Sequence, residues 1–149
     1  MQQQIEQPTE QDMERIATLL AYSGQLSMDI TGQALDSSTN DLPRLQQISS
    51  TLLEIEEAEQ EQRRLAFQAV GISFGQVFAT ENSDYDWWMV NDEEGRDPCL
   101  RYRESDLLVF PQTLISRRVE EGESFNINDL YTDIKQQLRA AVDGQLKPN

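Results

Sequence analysis

The densest run of ionisable side chains in the sequence is Asp92-Glu93-Glu94-Gly95-Arg96-Asp97-Pro98, four carboxylates within seven residues. Oxygen ligands at that density could hold Mg²⁺ or Ca²⁺. Paired carboxylates could also run general acid–base chemistry if their surroundings separated their pKa values. The spacing favours neither. A calcium loop of the EF-hand type needs acids or amides at alternate positions, then a glycine and a distant bidentate Glu, whereas these acids are adjacent and broken by Gly95. The expectation is a solvated turn in which Arg96 pairs with a neighbouring carboxylate, with no metal and no cofactor bound.

The nucleophile inventory is equally sparse. Ser73, Thr113 and Ser116 stand in no G-x-S-x-G or P-loop context. The chain has no His, which removes the commonest general base, the Ser-His and Cys-His pairs and most zinc sites. Gly71 and Gly75 fall inside a helical pattern. A phosphate cradle would need glycines ahead of a helix start, so their spacing points to close approach by a neighbouring backbone. No enzymatic activity is expected. Cys99 is the only cysteine, which forbids an intrachain disulfide and suits a reducing, cytoplasmic compartment.

Charge narrows the partners. The 149 residues carry 12 Lys and Arg against 27 Asp and Glu, a net charge of −15. A nucleic-acid binder releases counterions with a basic face, and anionic membranes select for one too, so neither is expected. The N-terminus has no basic or apolar leader pattern, and no apolar run approaches the roughly 20 residues needed to span a bilayer. Residues 1–60 hold eleven acids against only Arg15 and Arg44. Acids gather in the stretch containing Glu54, Glu56 and Glu57, and again around Asp84, Asp86, Asp92, Glu93 and Glu94. Trp87 and Trp88 occupy adjacent strand positions, so one ring must point to each face. One ring belongs to the core, and the other is either covered by a helix on the second face or exposed as an aromatic anchor for a partner, with Trp87 the favoured candidate for the outward place.

The elements that would position these residues read as one α+β domain, about five helices packed on a three-stranded antiparallel meander. Thr9 and Asp12 form a capping box for a helix over Glu10 to Tyr22, which Gly24 then weakens. Gly32 to Asn40 is a loop. A second helix opens at Asp41-Leu42-Pro43, with Leu45, Ile48, Leu52 and Ile55 on its apolar face. The central helix runs from Glu56 to about Ala79, where Leu65, Ala66, Ala69, Val70, Phe74, Val77 and Phe78 keep a helical period. Strands follow at Tyr85 to Val90, Leu100 to Arg103 and Leu107 to Phe110, the first two joined by a turn over Asn91 to Gly95. Pro111 opens a helix that Gly122 stops. Asn126 caps a last helix that Gly144 closes, leaving a frayed tail from Gln145.

Set in order, Gly71-Ile72-Ser73-Phe74-Gly75, Trp88, the run from Asp92 to Arg101, Phe110-Pro111, Ile115-Ser116-Arg117-Arg118 and Glu120-Glu121-Gly122-Glu123 resemble a bacterial domain family of unknown function. Its pattern is a Gly-x-x-Phe-Gly helix, an Asp-Glu-x-Gly-Arg-Asp-Pro-x-Leu-Arg hairpin and a Phe-Pro-x-x-x-Ile-x-Arg-Arg helix. The likeness covers about residues 65 to 140, with Cys99 where the pattern has Ala. Residues 1–60 lie outside it as a variable helical part. The resemblance implies a shared hairpin-and-helix scaffold with no catalytic residue to carry over. The physical chemistry of the motif is structural as well. Gly95 can adopt a positive φ, Pro98 fits a strand start, and Pro111 fits a helix start. Arg96, Asp97 and Arg101 can make charge-assisted bonds that fix the hairpin against a helix.

The functional expectation is an acidic interaction protein, specifically an immunity protein that masks a basic toxin or effector domain. Glu54, Glu56, Glu57, Asp84, Asp86, Glu93 and Glu94 would steer the encounter and Trp87 would anchor it. The alternative is a soluble bacterial domain with an unrelated housekeeping or ligand-binding role.

Overall fold

A helix that is apolar on every side has to be buried, and the stretch from Ala66 to Phe78 is such a helix: Phe67, Val70, Ile72, Phe74, Val77 and Phe78 are all fully enclosed. The computed structural model describes residues 3–54 and 60–146. In chain order these form β1 (Gln4–Glu6), α1 (Glu10–Thr31), α2 (Asp41–Leu53), α3 (Gln60–Glu81), β2 (Tyr85–Asp92), β3 (Gly95–Tyr102), β4 (Leu108–Val109), α4 (Pro111–Glu120) and α5 (Ile127–Leu146). α3 touches α1, α2, α4 and β2. The main core wraps around it, drawing Leu45 and Ile48 from α2, Leu100 and Val109 from the sheet, Ile115 from α4, and Ile127 and Tyr131 from α5.

Two glycines set how closely α4 lies on α3. A Cβ built at Gly71 would sit 2.7 Å from the Cα of Gln112, and one at Gly75 would sit 2.7 Å from Pro111 Cγ and from Trp87 Cη2. An interior helical glycine costs about 1 kcal/mol, while each buried Phe or Ile contributes about 1.5–3 kcal/mol. The apolar surround therefore outweighs both glycines. The close approach expected at Gly71 and Gly75 is made by the first turn of α4, which Pro111 opens as expected.

The architecture is α+β, with five helices and an antiparallel sheet in the order β1-β2-β3-β4. The expected meander is β2-β3-β4. The fourth strand is a correction: Gln4–Glu6 pairs with Met89 to Asn91 on the free edge of β2. A three-residue strand carries too little alternation to be read in advance. The β2–β3 register runs from Tyr85 opposite Tyr102 to Asp92 opposite Gly95. The turn is therefore only Glu93-Glu94, closed by Gly95 at φ +130°, and β3 begins at Gly95 rather than Leu100. Cross-strand pairing overrides the poor strand propensity of Arg96-Asp97-Pro98. Pro98 is tolerated because β4 pairs only with Leu100 and Arg101, leaving β3 without a neighbour on that side at Pro98.

Helix ends differ where glycine was read as a stop. α1 continues past Tyr22 and Gly24 to Thr31, ending at Gly32 in a left-handed conformation. The extra turns bury Ser23 and Ser27 and lay Leu26 and Ile30 on the main core. Ser23 and Ser73 hydrogen-bond hydroxyl to hydroxyl between α1 and α3. Gly144 likewise fails to end α5, which runs to Leu146. Leu65, expected on the apolar face of α3, is 43% exposed. Ile55 and the expected start of the central helix at Glu56 lie outside the described residues, as do residues 147–149 of the tail. The capping box holds: Thr9 Oγ1 accepts from Asp12 N at 3.1 Å and Asp12 Oδ2 accepts from Thr9 N at 2.8 Å.

Two substitutions of the same kind should have opposite signs. Gly71→Ala should lower the urea midpoint, because overpacking against a backbone atom costs about 1–3 kcal/mol and exceeds the helix-propensity gain. Gly24→Ala, where a Cβ would meet nothing within 4 Å, should raise the midpoint through a stability gain of about 0.5–1 kcal/mol. Equal shifts in equilibrium denaturation would contradict the close-approach account.

Candidate functional site

Alternation along β2 and β3 divides the hairpin into two faces. One face turns to α3. Trp87 lies there, half-buried, with its Nε1 donating to Gln76 Oε1 at 3.0 Å and its ring against the Gly75 backbone. This corrects the sequence expectation that Trp87 faces outward: α3 needs a flat ring where Gly75 leaves room, and Trp87 supplies it. The opposite face carries Asp86, Trp88, Val90 and Asp92 from β2, and Asp97, Cys99 and Arg101 from β3.

On that outer face Trp88 is half-buried under Arg101, whose guanidinium carbon stands 4.5 Å from the ring centroid. Arg101 is fixed from behind by donating Nε to Ser105 O at 2.7 Å and Nη2 to Glu104 O at 2.8 Å. A guanidinium held by carbonyls rather than carboxylates keeps its charge for the ring. Cys99, opposite Trp88 in the register, is fully enclosed. Burial pushes its thiol up to about 11, so it stays protonated and unreactive at neutral pH. Asp86 and Asp97 are exposed on the same face, and Ile5 of β1 lies beside Val90.

Arg96 finds its partners on remote segments rather than in its own turn. Its Nε and Nη2 donate to Asp12 Oδ1 at 3.2 Å and Oδ2 at 2.6 Å, and Nη1 donates to Glu6 Oε2 at 2.7 Å. One guanidinium thus ties the hairpin to the start of α1 and to β1. Bidentate pairing of this kind is directional as well as strong. It holds the Asp12 carboxyl at about 2, below the ordinary 3.8. Asp97 is exposed and takes no part in this bracket.

The acidic positions expected to form a patch are dispersed. Asp84 is exposed and paired with Arg103 at 3.2 Å. Asp86 is the second residue of β2, and Glu93 and Glu94 occupy the far turn, about 23 Å away at roughly 3.3 Å per strand residue. Glu54 is exposed at the end of α2. Glu56 and Glu57 lie outside the described residues. One other carboxylate serves a loop instead: Asp41 is buried and accepts from the Asp36 and Ser37 amides at 2.9 and 2.7 Å, and from Arg44 at 3.3 Å. Burial raises its pKa above the ordinary carboxylate value, against the lowering effect of those amides. Among the described residues no group of three or more His, Cys, Asp or Glu is placed to hold a metal ion.

One site escaped the sequence reading. Between β4, α4 and α5 lies an apolar groove of about 710 Å³, with Arg117 and Arg118 at its rim. Those arginines were legible only as the outward side of α4; nothing local tells that α5 stands off from them.

The Arg96 bracket has a pH signature. Because the folded state lowers the Asp12 pKa, its contribution is complete above about pH 4 and is lost as pH falls through about 2. Asp12→Asn should therefore lower the denaturation midpoint at pH 7, with the gap to the parent protein closing steadily below pH 4. A gap independent of pH would show that the charge of Asp12 is not what matters.

Residues 41–131 match a family described as Domain of unknown function (DUF3806). The span begins at α2, earlier than the residue 65 start of the sequence resemblance, and ends in the early turns of α5. A comparison with curated proteins gives no match. The fold is similar to that of a protein from Bacteroides thetaiotaomicron VPI-5482, solved as a crystal structure at 1.50 Å, with TM-score 0.79 and 15% identity. The likeness covers 92% of this chain and 48% of that one, so this chain spans about half the length of that protein and shares its fold. Since the family match takes in more than half of the sequence, from α2 through the hairpin to α5, the chain belongs to the DUF3806 family, a domain of unknown function.

Proposed function

We propose that this chain is an acidic interaction domain that holds a basic protein partner on the outer face of its hairpin. The specific reading is an immunity protein that masks a toxin domain in the cytoplasm. The observation that carries the reading is the Trp88–Arg101 stack, a preordered aromatic surface with Asp86 and Asp97 exposed around it. Aromatic anchors inside a polar rim are the usual makeup of an interface hot spot. The net charge of −15 supplies long-range attraction for a basic partner and repels acidic ones. The shifted carboxyls also favour a binding role over a catalytic one, since Asp12 and Asp41 are both committed to holding the fold. The lone buried thiol suits a reducing compartment. Among the described residues no helix is long and apolar enough to cross a membrane.

The test begins with a pull-down from the native cell and continues with rate constants for the recovered partner. The double variant Asp86→Lys/Asp97→Lys should slow association roughly tenfold or more at low salt and flatten its salt dependence. Trp88→Ala should leave association nearly unchanged and speed dissociation by about 30-fold, the equivalent of a 2 kcal/mol hot spot. Recovery of no basic partner, or a charge reversal without effect on association at low salt, would overturn the proposal.

A further inference from the structure

α5 buries Ile127, Leu130, Tyr131, Ile134 and Leu138 in the main core, and at its start Ile127 N donates to Gln46 Oε1 of α2 at 2.7 Å. Further along it stands away from α4, and the groove of about 710 Å³ opens between them. That volume falls within the range of small-molecule sites, about 300–1,000 Å³. Its floor is apolar: Leu107, Phe110 and Leu114 are half-buried along one wall and Leu138 lies on the other. Its charged lining is Arg117 and Arg118 on α4 with Glu121 and Glu123 just beyond it.

Among the described residues the two groove arginines carry no carboxylate partner, as Arg101 carries none. Arg44, Arg96 and Arg103 are each paired with a carboxylate. Arg117 forms no ion pair among the described residues, and Arg118 donates a single Nη1–H to Leu114 O at 2.9 Å. Glu121 and Glu123 stand on the same rim and pair with neither arginine. The guanidinium N–H groups therefore remain available, and a guanidinium binds a carboxylate with two parallel hydrogen bonds.

We propose that this groove binds an amphipathic carboxylate, an acyl or aryl chain with one anionic head, its chain along Leu107, Phe110, Leu114 and Leu138 and its head at Arg117 and Arg118. The apolar chain supplies most of the affinity and the arginines fix its direction. The site lies on other elements than the Trp88 face and stands or falls independently of it.

The experiment titrates the full chain with decanoate, and separately with decyltrimethylammonium, by calorimetry and amide NMR. Decanoate should saturate one site, with shifts concentrated in residues 107–118 and 134–141, and the cationic amphiphile should not. Arg117→Ala/Arg118→Ala should weaken decanoate at least tenfold. Ala141→Phe, which fills the groove from a half-exposed helical position, should abolish binding while the melting curve stays cooperative. Equal binding of both amphiphiles, shifts elsewhere, or unchanged affinity in the arginine variant would overturn the proposal. So would indifference to decanoate combined with coverage of the groove by a protein partner, which would assign it to that contact.

Discussion

The separation between α3 and α4 is the constraint on which the rest of the structure hangs. At Gly71 the Gln112 backbone occupies the space where a side chain would begin, and at Gly75 Pro111 and Trp87 do the same. Because α4 follows β4 directly, fixing its first turn on α3 also fixes where the sheet edge arrives. Trp87 then lies flat on α3, and strand alternation forces Trp88 to the other side. Two hydrogen atoms in place of two methyl groups thus decide which tryptophan serves the core and which is presented outward.

The second constraint is electrostatic. The hairpin crosses from the helical layer to an edge strand that is only three residues long, and such an edge is weakly held by its own ladder. Arg96 compensates by gripping Glu6 and Asp12 together, so the N-terminal strand and the start of α1 are fastened to the same side chain. The carboxylates it uses are thereby withdrawn from any surface role. This leaves Asp86 and Asp97 as the exposed acids flanking the Trp88–Arg101 stack, a smaller and differently placed patch than the net charge alone would suggest.

What could be read in advance followed from local chemistry. The capping box at Thr9 and Asp12, the proline start of α4, the Asn126 cap with its 3.0 Å bond to Asp129 N, and the packing role of Gly71 and Gly75 each depend on a few neighbouring residues. The misreadings share the opposite character. Gly24 weakens and Gly144 closes a helix by a local cost, whereas what carries α1 past Gly24, the packing of Leu26 and Ile30 on the main core, comes from elsewhere in the chain. β1 exists only because β2 offers an edge and Arg96 offers a partner. Trp87 and Trp88 are indistinguishable by type and period, and only the vacancy at Gly75 chooses between them. The groove at Arg117 and Arg118 was invisible for the same reason, since it is a gap between two helices that each look complete alone.

The most direct test of the outward-facing role uses the two indole N–H resonances, assigned by Trp87→Phe and Trp88→Phe variants. On titration with the partner recovered by pull-down, the Trp88 signal should shift or broaden while the Trp87 signal, held by Gln76, stays in place. Movement of Trp87 alone, or of neither indole while binding is demonstrated, would contradict the assignment of the outer hairpin face as the binding surface.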